Sequence, residues 1–345
     1  MLTEHLDAVI GVDTHKHTHT AAAVASTGAV LEQLTVPADP KGYRQLVAFG
    51  RRHSATLWAI EGTGSFGAGL TTVLLASSAR VVEVERPQRS ARRDGVKNDD
   101  IDAVRAARQA LAGVGVSEPR CRGEREAIRV LLTTRAQAIE FRTRAIAALH
   151  ALVVSAPGVL RERLRSLPLA KLLHTCAGLR GSSRQSAEEF ATVMALRATA
   201  RRALACEHEA GELETQIDAL VRRIAPELLD EVGIGPVVAA QLIVSWSHPG
   251  RVRSEAAFAK LAGVAPIEAS SGSVVRHRLN RFGDRQLNRA LHTIVMVRMR
   301  QDPETQQYVQ RRVEQGKSIR EIKRCLKRYV ARQLFRQLEA TRPTV

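Results

Sequence analysis

The sequence has few cysteines and few aromatic side chains. Its four cysteines, Cys121, Cys176, Cys206 and Cys325, are widely separated and include no Cys-x-x-Cys pair. This spacing indicates neither a zinc site nor a disulfide framework, and we expect reduced thiols. Phe, Trp and Tyr make up only 3% of the chain, which argues against proteins that recognise nucleic acid by stacking bases on aromatic rings.

Long apolar runs are also missing. No stretch of about 18 consecutive apolar residues occurs, so the sequence predicts no membrane-spanning helix. The N-terminal segment carries Glu4 and Asp7, whereas a secretory signal peptide begins with a basic region. No internal repeat of fixed period is present. We therefore expect a cytoplasmic protein without a membrane partner.

Positive charge is what the sequence has in excess. The 345 residues include 52 Lys and Arg against 35 Asp and Glu, which gives a formal net charge of +17. This balance predicts a polyanionic partner, with nucleic acid ahead of an anionic membrane surface. Because aromatic rings are scarce, we expect binding through phosphate contacts. The length and a hydrophobic content of 44% are enough for two or three domains.

The first third of the chain has the pattern of an α/β domain. A helix opened by Asp39 and Pro40 follows the third of five strand-like runs, and a second helix at 70–75 follows the fourth. The runs with the apolar pattern of strands are residues 8–13, 18–24, 30–36, 56–61 and 80–84. With a further helix after the last run, the order βββαβαβα predicts a ribonuclease-H-like fold.

The middle of the chain has helical periodicity. Apolar residues recur at helical spacing over 124–154 and again over 187–224, which predicts two long helices compatible with a coiled coil. Between them, residues 160–185 are basic and contain Gly and Ser towards their end, so we expect a linker or loop. The predicted domains are a catalytic α/β domain at 1–118, a helical linker and oligomerisation region at 119–228, and a mainly α-helical domain at 229–345.

Four acidic residues fall where a ribonuclease-H-like fold would gather them. Asp13 ends the first strand and Glu61 ends the fourth, and these strands are neighbours in such a sheet. Asp99 and Asp102 begin a predicted helix three residues apart and share one face, a spacing that Asp100 lacks.

The four acids together indicate a metal site. Taken singly, each is better explained as a turn residue, a solvated strand end or a helix cap. Carboxylates that converge without a compensating lysine repel one another unless divalent cations neutralise them. The combination therefore predicts that Asp13, Glu61, Asp99 and Asp102 bind two Mg²⁺ ions, which Mn²⁺ could replace, for a phosphoryl transfer.

Three segments around these acids resemble the motifs of a known family. Residues 11–16 (GVDTHK), 59–64 (AIEGTG) and 97–103 (KNDDIDA) are similar to the three acidic motifs of the DEDD insertion-sequence transposases. The resemblance implies a RuvC-like catalytic domain, donor and target DNA as substrates, and a homo-oligomer, as a dimer or as a tetramer on DNA. It also implies a structured guide RNA from the mobile element, a partner that nothing else in the sequence indicates.

The last third resembles the second domain of that family. Residues 232–236 (VGIGP) resemble a helix-hairpin-helix in which Gly233 and Gly235 let backbone amides approach a DNA phosphate. An ordinary turn with proline at the first helical position explains the segment equally well. Residues 261–266 and 279–291 are similar to further motifs of the same domain.

A Ser-Gly pair lies between those motifs. In the family, the serine of this pair is the proposed nucleophile, and it corresponds to Ser271, with Ser270 and Ser273 close by. A serine hydroxyl needs a base or a metal to attack phosphate, and His277 is close in sequence. The resemblance implies that the acidic site, from the same or another protomer, completes the active site. A flexible polar loop is the competing interpretation.

The sequence ends in a basic segment. From 285 to 338 the pattern predicts one long helical tail with a basic face, which neutralises phosphates without reading sequence. Its cationic residues, together with Arg281 before it, are Arg285, Arg289, Arg298, Arg300, Arg311, Arg312, Arg320, Lys323, Arg324, Lys327 and Arg328.

These features predict a transposase of the bacterial nucleoid that acts on DNA through a metal site. The resemblance further implies that it cleaves and rejoins DNA through a covalent serine–DNA intermediate and with an RNA guide. Three alternatives remain open. One is a RuvC-like endonuclease that uses the acids and water alone. Another is a sugar-kinase-like ATPase, although we find no second glycine-rich phosphate loop. The third is a DNA-binding protein without activity, against which the complete set of acids and the Ser-Gly pair argue.

Overall fold

The structure is a computed structural model that describes residues 8–84, 99–268, 277, 278, 280 and 282–340. The chain divides into two compact units, residues 1–120 and 121–345. Within the described residues, no helix combines the length and the apolar character needed to cross a membrane.

The N-terminal unit contains a mixed six-stranded sheet. Its strands are β1 (Ala8–Thr14), β2 (Thr18–Ala25), β3 (Val30–Pro37), β4 (Ala55–Glu61), β5 (Val81–Val84) and β6 (Val116–Ser117). They lie in the order β3-β2-β1-β4-β5-β6. β1 pairs antiparallel with β2 and parallel with β4, so that the chain direction changes at the centre of the sheet. The five predicted strands are confirmed, each end to within one residue.

Helices cover both faces of this sheet. On one face, α1 (Pro40–Arg52) and α2 (Ala68–Ala76) pack on β-strand residues in a buried apolar cluster. On the other face lies α3 (Asp99–Ala112). Asp39 caps α1, because its carboxylate accepts a hydrogen bond from the Gly42 amide at 2.8 Å. The predicted start of this helix is therefore confirmed.

Helix α3 lies directly against β1 at Gly11. A Cβ atom on residue 11 would be 2.0 Å from the carbonyl oxygen of Ala103 and 2.5 Å from the amide nitrogen of Ala107. The helix presents buried alanines to the sheet, among them Ala106 and Ala110. Small residues on both sides thus let the backbones of the helix and the strand come into contact.

The C-terminal unit is almost entirely helical and is organised by a long antiparallel helix pair. α4 (Glu124–Ser155) and α7 (Ala187–Ile224) confirm the two predicted long helices. Two ion pairs, Arg135 with Glu214 and Arg142 with Glu207, link them at 2.7 and 3.2 Å. Partners that are later in α4 are earlier in α7, so the helices run in opposite directions.

The segment predicted as a linker or loop at 160–185 is instead partly helical. It contains α5 (Gly158–Leu164) and α6 (Leu169–Ala177). Leu164, Leu172 and Leu173 are buried in the cluster formed with α4 and α7. The loop prediction was wrong because the arginines of this segment obscured the apolar residues that pack inwards.

The remaining helices of this unit surround a second apolar cluster. They are a 3-10 helix (Pro226–Asp230), α8 (Pro236–Trp246), α9 (Glu255–Leu261), α10 (Arg285–Gln301), α11 (Pro303–Glu314) and α12 (Ile319–Ala340). A short hairpin, β7 (Ile267–Glu268) with β8 (His277–Arg278), follows α9. The tail predicted to be helical at 285–338 is helical, and it is divided into α10, α11 and α12. Asp302 ends α10 and caps α11, whose first residue is Pro303.

We predict that Gly11→Ala loosens α3, because the added methyl group meets helix backbone that cannot rotate away. Hydrogen–deuterium exchange should become faster in residues 99–112, and the free energy of unfolding should fall by about 1–3 kcal/mol. Gly64→Ala is the matched control, since no atom lies within 4 Å of the Cβ position there. Unchanged exchange in α3 of the Gly11→Ala protein would contradict the close packing.

Candidate active site

The sheet brings Asp13 and Glu61 to one place. β1 and β4 are parallel neighbours in which Val12 pairs with Ile60, so Asp13 and Glu61 are the next positions on the two strands. Every second residue of β1 and β4 faces α3, as Gly11 does, and Asp13 and Glu61 continue this alternation on their strands. Both acids therefore lie on the α3 face, at the carboxyl ends of adjacent strands.

The two strand ends are also tied by a hydrogen bond. The Thr14 hydroxyl donates to the backbone carbonyl of Glu61 at 2.8 Å. Asp13 is 8% exposed as a residue, and its Oδ2 lies 3.7 Å from Nδ1 of His15. The side chains of Asp13 and Glu61 are 11% and 14% exposed, so the strand ends hold two largely buried carboxylates.

Helix α3 adds Asp102 to this arrangement through an arginine. Asp102 forms an ion pair with Nη1 of Arg105, one turn later in the helix. Nη2 of the same guanidinium lies 4.0 Å from Oε2 of Glu61. Arg105 therefore connects the acid of the helix with the acid of β4. The sequence pattern did not point to this residue: the site was predicted without a compensating lysine, and the structure places an arginine beside two of its acids.

Asp99 is the first residue of α3, and its side chain lies outside the described residues. Among the residues that the structure does describe, no group of three His, Cys, Asp or Glu is arranged to hold a metal ion. The chemistry of the donors nevertheless fits Mg²⁺, which prefers carboxylate oxygens. Glu61 and Asp102 share one cationic partner, so the two carboxylates lie close enough to face the same positive charge.

The two glycines predicted to approach DNA lie at the start of α8. Gly233 has a positive φ of +87°, and a Cβ atom there would lie 3.1 Å from the Ile294 carbonyl oxygen. Gly235 is the N-terminal cap of α8, and no atom lies within 4 Å of its Cβ position. The close approach at Gly233 is thus to α10 of the same unit, whereas the space beside Gly235 is open.

Ser271, Ser270, Ser273 and Arg281 lie outside the described residues. Ser271 belongs to the eight residues that join β7 to β8, whose pairing matches Ile267 with Arg278. The candidate nucleophile is therefore located only by its position in the sequence, between β7 and β8.

A cavity of about 700 Å³ is lined by residues that flank this hairpin in the sequence. Pro266 lines it immediately before β7, and Asn280 lines it two residues after β8. The volume falls within the range of small-molecule sites, roughly 300–1,000 Å³. Cationic side chains from two helices line the cavity, and they are Arg285, Arg324, Lys327, Arg328 and Arg332.

Asn288 holds one wall of this cavity together. Its side-chain amide donates to the Ala262 carbonyl at 2.7 Å, and its Oδ1 accepts from Nζ of Lys327 at 2.9 Å. Burial is the larger cause that lowers the pKa of Lys327, and the nearby positive charge of Arg324 lowers it further. A cavity that removes water from an ammonium group favours an anionic ligand, because the negative charge of the ligand compensates the positive charge of the ammonium group.

The other predicted phosphate contacts are scattered over three helices. Arg289 on α10 and Arg311 on α11 are exposed, whereas Arg312 and Lys323 are half-buried. Arg298 is only 12% exposed and pairs with Glu231 at 2.7 Å, so it stabilises the core of the unit. These cations lie on three helices, α10, α11 and α12, and the predicted basic face stays a prediction. Of the predicted cations, Arg285, Arg324, Lys327 and Arg328 converge on the cavity.

Two family models match the sequence. The model DEDD_Tnp_IS110, described as a transposase, matches residues 10–156. The model described as "Transposase IS116/IS110/IS902 family" matches residues 226–310. The first match contains Asp13, Glu61, Asp99 and Asp102, whereas the second contains Ser271 and ends before α11 does.

The sequence is also similar to a curated protein, the "Insertion element IS110 uncharacterized 43.6 kDa protein" of Streptomyces coelicolor. The two are 34% identical over 109 residues. This similarity covers 31% of the chain and only 27% of that relative.

We predict that Asn288→Ala lowers the free energy of unfolding by about 1–3 kcal/mol, because the Ala262 carbonyl and the half-buried Lys327 lose their partner. Gln286→Ala, at an exposed position of the same helix, should change stability by less than about 0.5 kcal/mol. Urea denaturation of both variants measures the difference. Equal stabilities would mean that the Asn288 contacts do not support the cavity wall.

Proposed function

Since this chain belongs to the IS110 family of insertion-sequence transposases, we propose that it cleaves and rejoins donor and target DNA by phosphoryl transfer. The observation that carries the proposal is the parallel pairing of β1 and β4, which puts Asp13 and Glu61 at adjacent strand ends on the face covered by α3. Asp102 extends the same acidic group through Arg105.

The proposed roles of the acids follow from their positions. Asp13, Glu61, Asp99 and Asp102 hold divalent cations, Mg²⁺ with Mn²⁺ as a substitute, through their carboxylate oxygens. When bound, such ions stabilise the charge on the attacking and leaving oxygens of a phosphoryl transfer. Thr14 fixes the distance between the two strand ends through its bond to the Glu61 carbonyl.

The strand order supports a ribonuclease-H-like, RuvC-like interpretation of the N-terminal unit. Three antiparallel strands, β3-β2-β1, continue into the parallel strands β4 and β5, as the order βββαβαβα leads one to expect. The open backbone beside Gly235 supports phosphate binding at the start of α8 in a helix-hairpin-helix. Both remain proposals about this chain.

For the nucleophile we propose Ser271. Its support is the resemblance of the Ser-Gly pair, its place within the second matched region and the cationic cavity lined by residues on both sides of the hairpin. The serine oxygen forms a bond to phosphorus while the bond from phosphorus to the departing DNA oxygen breaks. The serine proton leaves to a base, and the departing oxygen takes up a proton. Rejoining reverses these steps, so no external energy source is needed.

The same proposal includes a guide RNA and a homo-oligomer. The net charge of +17 and the cations around the cavity, Arg285, Arg324, Lys327 and Arg328, are suited to a phosphate backbone of either nucleic acid. The favoured second function is a RuvC-like endonuclease, because the acids alone could activate water without a serine.

We predict that four amide variants cleave DNA about 100-fold or more slowly than wild type, because bound metal ions no longer stabilise the charge on the reacting phosphate. The variants are Asp13→Asn, Glu61→Gln, Asp99→Asn and Asp102→Asn. Circular dichroism should show folded proteins, and a chelator should abolish wild-type cleavage. Cleavage at the wild-type rate by Asp102→Asn, or in the presence of chelator, would remove the metal-site proposal.

We predict a protein–DNA adduct that depends on Ser271. When wild-type protein is incubated with labelled donor DNA, denaturing electrophoresis should show a band of labelled DNA attached to protein. Ser271→Ala should form none and still bind nucleic acid, since it removes a hydroxyl but no charge. Ser270→Ala and Ser273→Ala control for the neighbouring serines. An adduct with Ser271→Ala rejects this assignment, and free DNA ends from the wild type favour the endonuclease.

A further inference from the structure

Arg105 occupies a position between two of the candidate metal ligands. Its guanidinium pairs with Asp102 through Nη1 and faces Glu61 through Nη2, at 4.0 Å. The Glu61 side chain is 14% exposed and that of Asp102 is 23% exposed, whereas the arginine is 35% exposed. The two carboxylates are thus largely shielded from water, and the arginine supplies positive charge from the open side.

Such an arrangement compensates a charge problem. Neighbouring carboxylates with little access to water destabilise each other in the ionised form. A guanidinium keeps its charge under all ordinary conditions and can serve two carboxylates through its planar set of donors. Arg105 therefore supplies positive charge to both Glu61 and Asp102.

The same contacts are incompatible with a metal ion on these oxygens. Mg²⁺ binds carboxylate oxygens at about 2.0–2.1 Å and requires near-octahedral coordination. The Arg105 guanidinium is bonded to one oxygen of Asp102 and lies 4.0 Å from one oxygen of Glu61, so it occupies a coordination position at Asp102, and its charge repels an ion near either carboxylate. Binding of an ion to that Asp102 oxygen therefore requires Arg105 to move away from it.

We propose that Arg105 is an internal counter-ion that holds Glu61 and Asp102 in the metal-free protein and must release them for a divalent ion to bind. Arg105 is on this account a positioning residue: it preserves the acidic site and sets its metal affinity by competition. The inference rests on the proposed metal site. Arg105 is implicated in the site only by its position near Glu61 in the folded protein.

Helix α3 offers a matched control in Arg108. This residue lies three positions further along the same helix, is exposed, and donates from Nε and Nη2 to the Gly28 carbonyl oxygen at 3.1 and 3.0 Å. Arg108→Gln removes the same charge from the same helix without touching the pair of acids. It therefore measures the general effect of net charge on metal binding.

The test is Mn²⁺ binding to metal-free, full-length protein, measured from the free-ion signal in electron paramagnetic resonance. Arg105→Gln should bind Mn²⁺ about fivefold or more tightly than wild type, in the usual range for coupled sites, and Arg108→Gln less than about twofold. The Arg105→Gln protein should also melt at a lower temperature without metal and regain stability with Mn²⁺. Arg105→Lys, which keeps the charge, should lie between wild type and Arg105→Gln.

Several outcomes would overturn the proposal. Mn²⁺ binding by Arg105→Gln no tighter than by Arg108→Gln means that Arg105 does not compete with the ion, and the proposed metal site stands. If Arg105→Gln does not fold, Arg105→Ala takes its place, and Mn²⁺ binding by Arg105→Ala no tighter than by Arg108→Gln likewise means that Arg105 does not compete. No Mn²⁺ binding by any variant, the wild type included, rejects the metal site itself and the inference with it.

Discussion

Helix α3 can carry its acids to the centre of the sheet because residue 11 has no side chain. Backbone atoms of Ala103 and Ala107 fill the place that a Cβ atom of Gly11 would take, and this contact lies two positions before Asp13. Asp102 immediately precedes Ala103, so the contact also fixes the acidic end of the helix. The parallel pairing of β1 with β4 then adds Glu61. The position of Asp102 thus depends on the close approach of α3 to β1, and that of Glu61 beside Asp13 depends on the pairing of β1 with β4.

Charge is distributed differently in the two units. The N-terminal unit gathers carboxylates and balances them with Arg105, whereas the C-terminal unit gathers cations around a cavity of about 700 Å³. Phosphoryl transfer on nucleic acid needs both features, because the reacting phosphate is anionic and the metals that activate it require acidic ligands. In the proposed function, the positive net charge binds nucleic acid and the small acidic group holds the metal ions.

Local patterns were enough to predict the strands, the start of α1 at Asp39 and the two long helices α4 and α7, because alternation, capping and helical periodicity are properties of neighbouring residues. Residues 160–185 and the tail were harder. The buried Leu164 and Leu172 were obscured by arginines, and the helix break at Asp302 and Pro303 was overlooked. Arg105 could not be found from sequence, since its partner Glu61 is 44 positions away. For Ser271, the prediction rests on resemblance alone.

We propose that one metal site unites β1, β4 and α3. Substitution of Fe²⁺ for Mg²⁺ with ascorbate and peroxide generates radicals at the bound ion, and these radicals cut the nearest polypeptide backbone. Mass spectrometry of the fragments then locates the ion. The account predicts cuts near residues 13, 61 and 99–102 that excess Mg²⁺ suppresses. Cuts confined to other segments, or cuts that Mg²⁺ does not suppress, would contradict it.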